Sequence, residues 1–484
     1  MHLPYLFSTA PLLAFSAAAQ TPRDVDVAII GGGLSGLSAA RDLVEAGKSV
    51  VVLEARDRVG GRILNHQLPN GDVVEMGAEF IGPTQDRVIA LADELGISLF
   101  STYDHGNNTF YLNNTRYSYA GDIGAGSLPP ISDEALLQLV PVIQAINSMA
   151  SELDPNTPWD HPNASVWDSQ NFASWAAPLA PHPDAQFVLQ LAWTSTLSTE
   201  WIEPSLLYTL AYVAAAGNQT TKGSLERLLG VQGGAQEKRA VGGTQLLATK
   251  LAERLGESVV VLNAPVRRIQ KNDDNRYTVT ADNHSSFTAQ DVVVAMSPPM
   301  ASRILYEPPL PSHRDQLTQR MPMGALGKVH AIYESPFWRP MGLNGQVLSD
   351  SGSIRSVFDS SPPNGTIGVL MGFIEADEMR LLDTLSEAEM QDRIIKDLVR
   401  YFGPQAANVT SCVFQRWDLE EFSRGGPVAY APPGLLTQYG PALKTSIGGI
   451  HFAGTETAEF WTGYMDGAVR SGERVAKEIL KTGA

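Results

Sequence analysis

Cysteine is all but missing: Cys412 is the only one in 484 residues. That excludes an intramolecular disulfide, a CxxC redox pair and a thiolate-rich zinc or iron-sulfur centre. The nine histidines include no HExxH and no pair at helical ligand spacing, so no metal site is expected. A GxSxG nucleophile elbow is absent as well; Gly33-Leu34-Ser35-Gly36 comes near it in letters and fails the spacing. Lys/Arg-rich runs are lacking, and 35 basic against 52 acidic residues leave a net charge of -17, which disfavours nucleic acid and anionic membranes as partners. Beyond the N-terminus no apolar run approaches the roughly 18 residues needed to span a bilayer. What remains is 43% hydrophobic and 18% charged, the composition of a folded, water-soluble protein rather than a disordered chain, collagen or a coiled coil. The length allows roughly three compact units, or two for a doubly wound α/β protein.

The apolar start has its own reading. Leu3 to Ala19 closes on Ala17-Ala18-Ala19-Gln20 before the polar Thr21-Pro22-Arg23-Asp24, so residues 1–19 are expected to be a secretory signal, although the n-region carries only His2. Asn107, Asn113, Asn163, Asn218, Asn283, Asn364 and Asn408 each open an Asn-x-Ser/Thr triplet, seven of 18 asparagines. Chance would give roughly two or three if Ser and Thr fill about one position in seven. A secreted glycoprotein is the expectation.

Val25 to Ile30 forms a β-branched strand, followed at once by Gly31-Gly32-Gly33-Leu34-Ser35-Gly36 and by a helical stretch from Leu37 to Ala46 that Gly47 stops. In this strand-turn-helix, Gly31 permits the tight turn, Gly33 lets the backbone approach a pyrophosphate, and Gly36 allows close packing of helix on sheet. The next strand, Ser49 to Leu53, ends in Glu54, an acid placed to accept both ribose hydroxyls of an adenosine. A carboxylate there repels a 2'-phosphate, so NADP is disfavoured while NAD and FAD stay open. The continuation Ala55-Arg56-Asp57-Arg58-Val59-Gly60-Gly61-Arg62 adds a second glycine pair and an arginine for the pyrophosphate, an extension that resembles the flavin-binding two-dinucleotide-domain oxidases.

At the far end, Ile450-His451-Phe452-Ala453-Gly454-Thr455-Glu456-Thr457 and Phe460 to Gly467 precede an amphipathic helix whose apolar residues recur at three and four. Its N-terminus near Met465 would favour negative charge on a reduced flavin. Together with Gly77-Ala78-Glu79-Phe80-Ile81-Gly82-Pro83-Thr84-Gln85, Val241-Gly242-Gly243 and Pro432 to Gly440, these segments resemble the flavin-containing monoamine oxidase family in order and spacing, from about residue 25 to 480.

That resemblance implies an α/β protein: a Rossmann-type FAD-binding domain assembled from residues 22–82, 240–300 and 430–484, with an α+β substrate-binding domain from 83–239 and 301–429 inserted. Strand-like runs at Val259 to Leu262, Tyr277 to Ala281 and Asp291 to Met296 agree with a middle FAD segment. The implied FAD ligands are Gly31, Gly33, Ser35, Gly36, Glu54, Ala55, Arg56, Gly61, Arg62, Gly77, Ala78, Glu79, Phe80, Val266, Gly454, Thr455, Glu456 and Met465. The implied activity is oxidation of an amine to an imine or aldehyde with reduction of O2 to hydrogen peroxide. Lys328, in Pro322-Met323-Gly324-Ala325-Leu326-Gly327-Lys328, matches the lysine that holds a water at the flavin. Tyr464 matches one aromatic of the substrate cage, Trp417 a tryptophan close to the flavin, and Gln236 a glutamine of the substrate cavity.

Three departures stand out. Gly426, in Ser423-Arg424-Gly425-Gly426-Pro427, occupies the place of the flavin-linking cysteine, so FAD is expected to be non-covalent. Pro427 replaces the second cage aromatic, leaving Tyr430 or Phe460 as substitutes. The membrane tail of the mitochondrial members has no counterpart. The expected partners are a small-molecule amine, O2 and a second copy of the chain as a homodimer, with no nucleic acid and no membrane for the mature protein. Oxidation of L-amino acids, polyamines or an alkaloid-like metabolite is the alternative within the fold, with Arg87, Glu459 and Asp466 as conceivable charged contacts. A non-oxidase flavoprotein, a desaturase or isomerase, is the alternative outside it.

Overall fold

The computed structural model describes residues 22–121 and 127–482; the expected signal segment lies outside them. Two sheets organise the chain. The first has eight strands and is built around Arg23–Ile30, which pairs in parallel with Val50–Leu53 on one side and Ser286–Ala295 on the other. Val27 to Ile30, Val50 to Leu53 and Val292 to Val294 are buried without alternation, as parallel strands covered on both faces must be. Tyr277–Ala281, Val266–Lys271 and Leu305–Glu307 extend the sheet at one edge and Val260–Val261 at the other, while Ile450–Ala453 pairs with the end of Ser286–Ala295. This sheet therefore draws on chain segments near residues 23–53, 260–307 and 450–453.

The helix Leu34–Glu45 starts at the end of the first strand and buries Leu37, Ala39, Ala40 and Leu43. The C-terminal helix Met465–Thr482 lies against it. Gly472 makes that contact possible, since a Cβ there would stand 2.2 Å from the Ser35 carbonyl oxygen. Ser35 and Ser471 join the two helices through their hydroxyls at 2.7 Å.

The second sheet runs in the order Ser411–Arg416, Leu326–Tyr333, Gly368–Glu375, Ser356–Asp359, Leu343–Ser349, Asn107–Leu112 and Thr115–Tyr119. On one side, Ile354, Leu370, Ile394, Leu398 and Phe402 form a core with the helix Glu387–Phe402, whose N-terminus closes in a Ser386/Glu389 capping box. Elsewhere the helices Asp133–Ser151, Pro183–Leu197 and Leu206–Ala214 pack into a larger core with Phe110, Trp193 and Leu210. Among the described residues no helix is long and apolar enough to cross a membrane.

Candidate active site

One cavity of about 420 Å³ runs from the glycine turn of the first sheet to the buried face of the second. Its first part follows from the local sequence. A Cβ on Gly36 would meet the Gly31 carbonyl oxygen at 2.0 Å, and one on Gly31 the Ala295 carbonyl oxygen at 2.6 Å, so these two glycines serve packing within the protein. Gly33 and Gly61 differ: an added Cβ would find only the Gly60 carbonyl oxygen at 3.9 Å and the Gly33 Cα at 3.6 Å. Bare backbone here faces open cavity, a cradle that a side chain would fill. The helix behind it begins at Gly33 with no side-chain cap, so its first N–H groups and positive end are free for phosphate. Glu54, 2% exposed, accepts from Gly32 N at 2.7 Å and Arg56 N at 3.0 Å, which fixes the carboxylate while lone pairs remain for a ribose. This donor and acceptor set fits an adenine dinucleotide.

The far part is built around Lys328, the third residue of Leu326–Tyr333 and 2% exposed. Its Nζ donates to the carbonyls of Glu75 at 2.7 Å and Gly77 at 2.9 Å and to Glu79 Oε2 at 2.6 Å. Three acceptors take the three donors of an ammonium, so a water held at Nζ has to replace one of them. Arg239 completes a buried quartet, 2.6 Å from Glu75 and 2.7 Å from Glu79. Burial pushes both carboxyls up. For Glu79 the two cations outweigh it and the group lies below the usual range; for Glu75, burial with the neighbouring Glu79 charge outweighs Arg239 and the weaker pull of Lys328, and the group is pushed up to about 7.

Tyr464 stands in the same cavity with Trp461 at 4.9 Å and Tyr212 at 6.3 Å between ring centroids. Trp417 is buried and donates from Nε1 to the Met76 carbonyl at 2.8 Å, holding the segment that carries Gly77 to Phe80. Gln236, Gly426 and Pro427 line the cavity, and Gln236 leaves its Oε1 buried without a partner. Of the residues expected to hold FAD, all but Gly36 and Glu456 line this wall. Gly36 lies beneath the turn, and Glu456 sits behind Arg62, whose Nη1 is 2.6 Å from its Oε1 and 2.7 Å from the Pro427 carbonyl. Arg62 lines the cavity, then, with its charge already partnered.

Some expectations need correction. Neither Tyr430 nor Phe460 reaches the cavity; the cavity-lining aromatic in ring contact with Tyr464 is Tyr212, whose hydroxyl would stand 2.4 Å from a Cβ on Gly463. A tyrosine in an apolar helix gave no sequence signal for this. Arg87 pairs with Glu473 at 3.3 Å outside the cavity, and Glu459 is exposed. Asp466 is buried and accepts from Arg87 N at 2.7 Å and Val88 N at 3.0 Å, capping the helix Asp86–Glu94. Besides Glu54 and Glu79, the acid that lines the cavity is Glu375, for which the sequence held no signal.

A mixed sheet with a glycine cradle at the carboxyl end of its parallel strands, joined by one cavity to a second sheet, has the arrangement of a cofactor-dependent oxidoreductase. Comparison with known proteins narrows the class. The family of flavin containing amine oxidoreductases matches residues 34–480. A relative from Dictyostelium discoideum called "Probable flavin-containing monoamine oxidase A" is 36% identical, covering 94% of this chain and 97% of that protein. Among solved structures, wild-type putrescine oxidase bound to putrescine superposes with a TM-score of 0.89 at 33% identity, over 95% of this chain and 100% of the other. Cyclohexylamine oxidase from Brevibacterium oxydans IH-35A does so at 0.88 and 33%, over 95% and 99%. The chain belongs to the flavin-containing amine oxidoreductase family and is a flavin-dependent amine oxidase.

Proposed function

We propose that the flavin is FAD, held without a covalent bond, and that the protein oxidises a small amine to an imine or aldehyde while O2 becomes hydrogen peroxide. The observation that carries this reading is the continuity of one cavity from the Gly33/Gly61 cradle and Glu54 to Lys328 and Tyr464. Glu54 and the uncapped helix would hold ribose and phosphate, and the Met465 helix N-terminus would favour negative charge on a reduced flavin. Bound there, the flavin supplies the two-electron acceptor. The chain's own residues do the rest. Leu191, Leu348, Phe358 and Phe373 line the chamber with apolar surface, which excludes water and favours the uncharged amine whose lone pair assists oxidation. Tyr464 orients that amine, and Lys328, anchored by Glu79, presents a fixed positive charge beside it.

Gly426 and the position of Cys412 support non-covalent binding. Cys412 lies on Ser411–Arg416 away from the cavity wall, and burial pushes its thiol up to about 11. Secretion with N-glycosylation belongs to the same proposal. Asn113, Asn163, Asn283, Asn364 and Asn408 are exposed, while Asn107 and Asn218 are half-buried and Asn218 donates to Asp86 at 2.8 Å. Glycans are therefore proposed at the first five, and a mass loss on enzymatic deglycosylation of protein secreted from a eukaryotic host tests them. Sedimentation tests the homodimer. The decisive experiment is the absorption spectrum before and after anaerobic addition of an amine panel, followed by acid precipitation. Bleaching with free FAD in the supernatant supports the reading; a yellow protein that no amine bleaches refutes it and favours a desaturase or isomerase.

A further inference from the structure

One group in the cavity wall has no task in the chemistry above. Glu375 ends the strand Gly368–Glu375 and stands at the N-cap of the short helix Ala376–Leu381, yet its carboxyl makes no capping hydrogen bond. The residue is 5% exposed, lines the same cavity as Lys328 and Tyr464, and leaves Oε1 buried without a partner. A lone acid is costly to bury, and proteins keep few of them. Burial pushes the group well above the usual carboxyl range, with Glu200 adding to the push and Arg355 opposing it. Arg355 opposes the push only from a distance: its Nη2 donates to Glu378 at 2.8 Å, and its Nε, also buried, makes no hydrogen bond to Glu375.

A second orphan oxygen lies close by. Ser198 is 1% exposed, lines the cavity, and leaves Oγ unpartnered. Its carbonyl accepts from Ala325 N at 2.9 Å, and the Ala325 carbonyl accepts from Ala376 N at 2.9 Å. Ser198 and Glu375 thus flank Ala325 on two different chain segments. Their place relative to the reaction centre follows from strand register: Phe373 pairs with Lys328, and Glu375 pairs with Leu326. Residues two apart share one face of a strand and are separated by about 7 Å along it, the order of a short alkyl chain.

We propose that Glu375, assisted by Ser198, binds a second cationic group of the substrate, so that the preferred amines carry an ammonium or guanidinium a short alkyl chain away from the carbon that is oxidised. The inference rests on the amine-oxidase reading and sharpens it. Chemistry divides the two ends of such a substrate: the end near Lys328 and Tyr464 reacts as the free amine, while the distal end keeps its charge and satisfies the buried carboxylate. The net charge of -17 draws dications toward the protein. Glu459 and Asp466 lie outside the cavity wall, and of the acids that line it Glu54 and Glu79 already hold hydrogen bonds, which leaves this role to Glu375.

The test compares n-alkylamines with α,ω-diamines of equal chain length on the flavin-loaded wild type, Glu375→Gln and Glu375→Leu. The expected result is a wild-type preference for the diamines in kcat/KM that falls by roughly ten- to hundredfold in Glu375→Gln, the range for a lost hydrogen bond to a charged group. Calorimetric titration of the oxidised holoenzyme with an n-alkylguanidine, which carries the cation and no free amine to oxidise, is expected to show binding that Glu375→Gln weakens by a similar factor. Glu375→Leu is expected to hold or raise Tm, since it removes an unpaired buried acid; a lowered Tm assigns the carboxyl to structure and overturns the proposal. Equal losses on monoamines and diamines overturn it too, while leaving amine oxidation standing. If no amine reduces the flavin, the amine-oxidase reading fails, and guanidine binding still decides for or against Glu375.

Discussion

Replacing Lys328 with Met removes one of two cations that hold Glu79 in the buried quartet. Methionine keeps most of the length and all of the apolar packing, so the change is chiefly electrostatic. Glu79 retains Arg239 at 2.7 Å and the Ser360 hydroxyl, while the Glu75 and Gly77 carbonyls each lose a donor. Breaking a buried pair by removing one partner costs about 3–5 kcal/mol; the surviving Arg239 contact places this variant near the lower figure. The sign with pH follows from Glu79. Its carboxyl lies below the usual value in the folded protein because Lys328 and Arg239 together outweigh its burial, so it contributes stability above its unfolded pKa that is lost as pH falls through the folded one. Without Lys328 that contribution shrinks, and the loss in Tm is expected to be full at pH 6 and above and to diminish as pH falls from 5 toward 3. Thermal unfolding across that range checks this, and Lys328→Met/Glu79→Gln is expected to recover much of the loss. Stopped-flow mixing of the reduced enzyme with O2 is expected to show reoxidation slowed by roughly a hundredfold, with a smaller change in the Kd for amine. A pH-independent loss with no recovery in the double variant refutes the pairing argument. An unchanged reoxidation rate refutes the placement of Lys328 beside the flavin.

Tyr464→Ala is expected to raise KM for amine by roughly three- to tenfold, the worth of one aromatic contact, and steady-state kinetics on the purified variant read it. Asp466→Ala uncaps Asp86–Glu94 and frees Arg470, its partner at 2.5 Å, so a loss of about 1–3 kcal/mol in chemical denaturation is expected. His451 carries a pH signature. Burial disfavours its charged form, but Asp291 at 3.2 Å and Glu478 at 3.7 Å outweigh that and raise the group. The stabilisation it provides is fully present below its unfolded value near 6.5 and is lost as pH rises through the folded one. His451→Gln is therefore expected to lower Tm at pH 6 and to have little effect at pH 9.

What could be read from the chain was whatever one short segment determines. The strand, glycine turn and helix from Arg23 to Glu45, with Glu54 eighteen residues past Gly36, specify a dinucleotide cradle because φ/ψ freedom, helix-end N–H groups and strand-end placement are local properties. The strands expected around 259–262, 277–281 and 291–296 appear as Val260–Val261, Tyr277–Ala281 and Ser286–Ala295 for the same reason, since β-branched periodicity is local.

The quartet of Glu75, Glu79, Arg239 and Lys328 comes from three distant segments, and a lysine within an apolar strand does not announce which carboxylate will meet it. Tyr212 becomes a neighbour of Tyr464 only when the helix Leu206–Ala214 crosses Gly463. Glu375 becomes a cavity-lining acid without a partner only once the fold has buried the end of its strand. Sequence alone determined the class of cofactor and the kind of fold, because turn geometry and periodicity act over a few residues. Tertiary structure alone decided which polar side chains are left facing the cavity without partners, because burial and pairing depend on segments that meet only after the chain has packed.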